Sequence, residues 1–252
     1  MKTKLEVCVD SVESAVIAQE CGADSLEICS NLIIGGTTPG VSQFKHIRKA
    51  CTAELYVLIR PRYGDFLYTD AEFDMMKEDI WMFRKLGADG ITAGCLRADG
   101  SLDLGRMKEL KDCAGSLRFT LHRAFDVCRD PYESLEETIS LGIDRILTSG
   151  QAAACTEGTE VLRQLIAQAG ERIEILVGSG VNAQAIRRIR AETHAVSFHM
   201  SGKQRIDSKM SYRKEGVNMG LPGLSEFDIF RTDPEEIRKA KEALLAEKEG
   251  EW

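Results

Sequence analysis

Three stretches of the chain repeat one phrase: Gly22-Ala23-Asp24-Ser25-Leu26, Gly87-Ala88-Asp89-Gly90-Ile91 and Gly142-Ile143-Asp144-Arg145-Ile146. Each follows an amphipathic segment and opens a short apolar run. A glycine at that point suits the left-handed residue that closes the last turn of a helix. The brief apolar run after it suits a buried strand. The phrase therefore reads as the joint between helix and strand in a repeating βα unit.

Reading between these joints predicts eight strands: Leu5–Val9, Ser25–Cys29, Leu55–Arg60, Gly90–Gly94, Leu117–His122, Arg145–Ser149, Ile173–Val177 and Val196–Met200. The helices between them carry start signals. Asp130-Pro131 and Asp233-Pro234 each pair an N-cap with a proline at the first helical position. Thr69 and Asp70 begin another helix, and Asn182 caps a further one. Eight alternations within 252 residues predict a single-domain TIM (β/α)8 barrel of the α/β class, residues 1–252. A doubly wound sheet is the runner-up, weakened because no G-x-G-x-x-G follows the first strand; no nucleotide-cofactor motif is seen. Residues 201–230 read as an irregular insertion before the last helix, and Ala246–Trp252 as a frayed helix tip.

Composition narrows the function. Hydrophobic residues make up 43% and charged residues 29%, which is ordinary for a globular protein and excludes disordered or fibrous classes. A formal net charge of -7 argues against nucleic acid and anionic membranes as partners. No apolar run approaches the roughly 18 residues of a membrane span. The opening MKTKLEVCVD enters a strand at once, without a signal-peptide core. Eight scattered cysteines do not form a disulfide framework, and reduced thiols suit a cytoplasmic protein.

Alternation along each strand sorts its side chains onto two faces. Apolar Leu5, Val7 and Val9 leave Glu6 and Cys8 on the other face, and Leu26 and Ile28 leave Glu27 and Cys29. Arg60 shares a parity with Tyr56 and Leu58, His122 with Thr120, and His199 with Ser197. If the apolar parity meets the helices, the polar parity points into the barrel. Glu27, Arg60, His122 and His199 then gather near the strand C-terminal ends, where TIM-barrel active sites lie. Buried charge is costly unless it is paired or holds a ligand, so a functional pocket is favoured over a purely structural ion pair.

Gly178-Ser179-Gly180-Val181-Asn182 follows the seventh strand and leads into a helix, and Ser201-Gly202 follows the eighth. Gly178, Gly180, Asn182 and Ser201 thus suit an anion held by backbone N–H groups, and a tight capped turn is the equal alternative. Arg60, Arg62 and Arg123 add cationic partners for a carboxylate or phosphate. His122 or Glu27 would serve as general acid or base toward such a small anionic ligand, with Asp126 and His199 beside them as catalytic candidates. Metal signals are sparser: no C-x-x-C and no H-E-x-x-H is present. Cys8 and Cys29, as interior neighbours, are soft donors suited to Cu(I), although isolated cysteines more often act as small hydrophobes. Glu27, His122 and Asp126 would suit a harder divalent ion.

LEVCVDSVESA at 5–15, GADSLEICS at 22–30, GGTTPG at 35–40 and IRPRYGDFLY at 59–68 resemble the CutC copper homeostasis family. LHRAFD at 121–126, RILTSG at 145–150 and SFH at 197–199 extend the resemblance from about Lys4 to the final helix. It implies a TIM barrel, a cytoplasmic homo-oligomer, a role in copper homeostasis, and pocket positions at Glu27, Cys29, Arg60, Arg62, His122, Arg123, Asp126 and His199. Two positions depart from the pattern. Met200 stands where the family often has Cys, replacing a thiolate by a neutral thioether, and Gly178-Ser179-Gly180 stands where it often has G-G-G. Two functions are therefore expected from the sequence: Cu(I) handling with Cys29 as first ligand and Cys8 or His199 assisting, or an enzyme acting on a small anionic or phosphorylated metabolite. A ligand sensor without turnover is a third.

Overall fold

A computed structural model describes residues 3–214, 216–217, 219–221 and 223–246. Eight parallel strands close into a barrel in chain order: β1 (Lys4–Val9), β2 (Ser25–Ile28), β3 (Glu54–Leu58), β4 (Gly90–Ala93), β5 (Arg118–Leu121), β6 (Arg145–Thr148), β7 (Glu174–Val177) and β8 (Ser197–Met200). Among the described residues, eight α-helices surround them: α1 (Val12–Glu20), α2 (Val41–Ala50), α3 (Asp70–Lys85), α4 (Leu104–Ala114), α5 (Pro131–Ser140), α6 (Thr159–Ala169), α7 (Ala183–Thr193) and α8 (Pro234–Leu245). This is the TIM barrel that the repeat arithmetic predicts.

The repeated phrase has a physical role beyond its glycine. Gly22, Gly87 and Gly142 all adopt positive φ, as a helix-ending residue requires. The aspartate two residues later then clamps the start of the preceding strand. Asp24 accepts the Leu5 N–H at 2.8 Å, Asp89 accepts that of Leu55 at 2.8 Å, and Asp144 accepts that of Phe119 at 2.7 Å. In return each aspartate donates its own N–H to the carbonyl of the same residue. A basic side chain completes each clamp: Lys241, Arg48 and Lys111. The phrase recurs every second strand because β1, β3 and β5 are tied to the joints that begin β2, β4 and β6.

The helix starts follow the sequence signals. Asp130 and Asp233 cap α5 and α8 ahead of their prolines, and Thr69 with Glu72 forms a capping box on α3. Asn182 caps α7 through the Ala185 N–H at 2.9 Å. β1, β7 and β8 end where expected, but β2 to β6 stop one or two residues earlier, so Arg60, His122 and Ser149 stand in the loops just past β3, β5 and β6. The described part of residues 201–230 is irregular between two short strands. These strands pair as an antiparallel hairpin, β9 (Lys203–Asp207) with β10 (Asp228–Thr232), and Thr232 N–H is tied to Ser14 Oγ of α1. The acidic end beyond Ala246 lies outside the described residues. Among the described residues, no helix is long and apolar enough to cross a membrane.

Apolar residues of the odd parity in β1 and the even parity in β2 pack outward against the helices, with Leu5, Val7, Leu26, Ile28, Val57 and Phe198 inaccessible to solvent. The polar parity is left inside. Two glycines keep that interior open for large side chains. A Cβ on Gly90 would stand 2.2 Å from the Tyr56 ring, and one on Gly94 would stand 2.8 Å from the His122 ring.

Candidate metal and anion site

The deepest polar layer is an ion pair between strands that are far apart in sequence. Glu6 of β1 and Arg145 of β6 approach at 2.8 Å with both side chains 1% exposed. Arg145 also donates to Thr120 Oγ1 at 2.9 Å and lies 3.8 Å over the Tyr56 ring. Ser25 Oγ donates to the same Glu6 oxygen at 2.9 Å. Burial pushes the Glu6 carboxyl up, but Arg145 and then His199 outweigh it and hold the group down at about 2. Arg145 fills no role in the sequence expectations, although it shares an inward parity with Leu147.

Above this layer, barrel closure brings β8, β1 and β2 side by side. Glu6 is in register with His199 across β1 and β8, and Cys8 with Glu27 across β1 and β2. One donor atom each from Cys8, Glu27 and His199 therefore lies within 4.8 Å of the others. The second oxygen of Glu6 sits 3.1 Å from His199 Nδ1, which turns Nε2 toward Glu27 at 3.7 Å. A carboxylate behind a histidine is the arrangement that orients a metal-ligating imidazole. Burial works against the imidazolium of His199, but the Cys8 sulfur, Glu27 and Glu6 around it prevail and hold its pKa well above the ordinary value. Glu27 is raised, first by burial and then by Glu6, against the pull of His199.

This cluster floors a cavity of about 370 Å³ at the strand C-terminal ends. Its walls include Cys29, Leu58, Arg60, Phe66, His122 and Arg123, and the Ser179–Val181 turn, Ser201 and Lys203 complete the lining. The barrel thus brings together Cys8, Cys29, Glu27, Arg60, His122, Arg123, Gly180, His199 and Ser201 of the expected set. Met200 also reaches the cavity edge while packing into the core. Lys203 and Phe66 join the cavity from loops and a hairpin, where strand parity gives no signal.

The remaining residues have other occupations. Cys29 Sγ lies 3.7 Å from the Val9 carbonyl, outside the donor cluster, and burial pushes its thiol well above the ordinary value. Asp126 accepts from Arg123 Nε at 2.6 Å, Thr148 Oγ1 at 2.5 Å, Ser149 N at 3.0 Å and Gln151 N at 3.2 Å, so its carboxylate anchors the loop after β6. Arg62 stands outside the cavity lining, bonded to Glu72 at 2.6 Å and Asp65 at 3.0 Å. Gly178 is not in the lining either. A Cβ there would stand 2.6 Å from Leu147 Cδ1, so the glycine makes room inside the barrel rather than for an anion. Asn182 is spent on its helix cap.

Comparison with known proteins agrees with this architecture. Residues 3–204 match the model of the CutC family. A Bacteroides fragilis protein named as a family protein CutC is 44% identical over 243 residues, covering 96% of this chain and 97% of its own. A Bacteroides thetaiotaomicron relative of the same name is 48% identical over 220 residues, covering 87% and 88%. Among solved structures, a Streptococcus agalactiae CutC, provisionally named a copper homeostasis protein, aligns with TM-score 0.75 and 30% identity over 79% of this chain and 98% of its own. A phosphoribosylanthranilate isomerase from Pyrococcus furiosus, 14% identical with TM-score 0.54 over 96% and 98%, shares the barrel fold.

Proposed function

The chain belongs to the CutC family, and from that premise we propose that it is a cytoplasmic copper-handling protein that takes Cu(I) at Cys8, His199 and Glu27. The observation that carries this reading is the convergence of a thiol, an imidazole and a carboxylate on one seam of the barrel. Glu6 supports the imidazole from behind. The donor chemistry fits a thiophilic ion: Cys8 and His199 are the soft and borderline donors that Cu(I) favours, and Glu27 is the hardest of the three. Glu27 Oε1 is also buried without a hydrogen-bond partner among the described residues, which leaves it a lone pair to offer. The reading moves the first ligand from Cys29 to Cys8, since Cys29 stands apart from the cluster. All eight cysteines are unpaired, which supports a reducing compartment.

An anaerobic competition titration with Cu(I) against a chromophoric chelator tests this. One stoichiometric site with a dissociation constant far below micromolar is expected, lost in Cys8→Ser and kept in Cys29→Ser. Equal affinity in wild type and Cys8→Ser would overturn the assignment.

A further inference from the structure

The donor cluster floors the cavity, and another part of the lining has a different chemistry. Arg60, just past the end of β3, spends its terminal nitrogens on the loop carbonyls around it. Nη1 donates to Gly36 O at 3.1 Å and Gly35 O at 3.4 Å, and Nη2 to Gly64 O at 2.8 Å. The Phe66 ring lies 5.1 Å from its guanidinium carbon. These contacts fix the guanidinium and leave Nε, which is buried and has no hydrogen-bond partner among the described residues.

His122 packs against the same ring, with centroids 4.8 Å apart. Its Nδ1 accepts the Ala124 N–H at 3.2 Å, so the lone pair is there and the neutral ring carries its proton on Nε2. Burial, followed by the Arg60 charge, holds the imidazole pKa down at about 3, which keeps the ring neutral. Nε2 too is buried without a partner. Arg60 and His122, joined through Phe66, therefore both line the cavity, and each carries an N–H donor with no acceptor among the described residues. Buried donors are rarely left so, and an acceptor bound in the cavity would satisfy both. Lys203 lines the same cavity from the β9–β10 hairpin and adds positive charge.

We propose that this part of the lining is a binding site for a small organic oxyanion, whose oxygens accept from Arg60 Nε and His122 Nε2 with Lys203 supplying charge nearby. The site offers donors only, so it selects an acceptor group, a carboxylate or a phosphate, over an amine. It does not depend on the metal reading, because none of its three residues belongs to the Cys8–Glu27–His199 cluster.

Titration of side-chain 15N-histidine-labelled protein with inorganic phosphate and, separately, acetate tests the proposal at constant ionic strength, with chloride as control. A saturable shift of the His122 Nε2 resonance is expected with at least one probe, and the stronger probe tells phosphate from carboxylate. Loss of a charge-assisted hydrogen bond should weaken binding about tenfold or more in Arg60→Met, read on the His122 signal. His122→Phe keeps the packing on Phe66, and calorimetry should show a similar loss. Lys203→Ala, on an exposed hairpin away from the core, should weaken binding by a smaller factor without risk to folding. Cys8→Ser should bind the anion as wild type does, whatever becomes of copper. Shifts matched by chloride, shifts that never saturate, or equal affinity in folded His122→Phe or Lys203→Ala would overturn the proposal.

Discussion

Glu6 and Arg145, 139 positions apart in the chain, meet at 2.8 Å in the barrel centre with almost no exposure. The pair sits directly beneath His199, and Glu6 divides its two oxygens between Arg145 and the His199 imidazole. A buried pair of this kind adds little net stability over apolar residues, but breaking it strands a charge. Arg145→Met should therefore cost about 3–5 kcal/mol, read as a shift of the urea midpoint. The double variant Glu6→Leu, Arg145→Met should recover most of that loss while weakening metal binding, since His199 then lacks its carboxylate.

The same pair makes a pH prediction. The Glu6 carboxyl is lowered from 4.5 to about 2 in the folded state. A depressed carboxylate stabilises the fold above its unfolded pKa and loses that contribution as pH falls through the folded value. Stability should decline between about pH 4.5 and pH 2, by an order of 3 kcal/mol from this group. Chemical denaturation across that range should show a flatter profile in Glu6→Gln, whatever its absolute stability. An unchanged slope would remove Glu6 as the titrating group.

Much of this barrel is legible from sequence because parity and turn chemistry are local. The glycine of each repeated phrase marks a helix end, and the polar parity of β1, β2, β5 and β8 finds Glu27, Cys8, His122 and His199. The register that sets Cys8 beside Glu27 and Glu6 beside His199 is not local: it depends on how the barrel closes. That is why Cys29 and Cys8 look alike in sequence while only Cys8 joins the cluster. Asp126 and Arg62 mislead for a related reason. Both sit next to pocket residues in the chain, yet loop N–H groups and carboxylates claim them first. Arg145 hides at the start of an apolar strand, and Lys203 and Phe66 arrive from segments without strand periodicity.

His122 should stay neutral through the whole physiological range. Its ordinary pKa of 6.5 is held down to about 3, so 15N chemical shifts should report the Nε2–H tautomer from pH 5 to 8 without titration. A midpoint near 6.5 would mean that the ring leaves its burial against Phe66 and Arg60. Gly94→Ala should disturb the ring from behind, because the new Cβ would stand 2.8 Å from its Cε1 and Nδ1. Overpacking of this kind costs about 1–3 kcal/mol, and the shifted ring should also lose its response to phosphate or acetate.

The aspartate clamps carry the last prediction. Asp144 accepts the N–H of Phe119, a residue with no exposure, while Lys111 approaches the same oxygen at 3.2 Å. Asp144→Ala leaves that N–H with no acceptor at the start of β5, which should cost about 1–3 kcal/mol. Lys111→Ala removes a partly exposed ion pair and a long hydrogen bond to the Leu117 carbonyl, and should cost at most about 1 kcal/mol. Thermal unfolding of the two variants separates the contributions. If the clamp is the hydrogen bond and not the charge, Asp144→Asn should retain more stability than Asp144→Ala, because the amide oxygen can still accept from Phe119. Equal losses in the two would instead assign the clamp to the ion pair with Lys111.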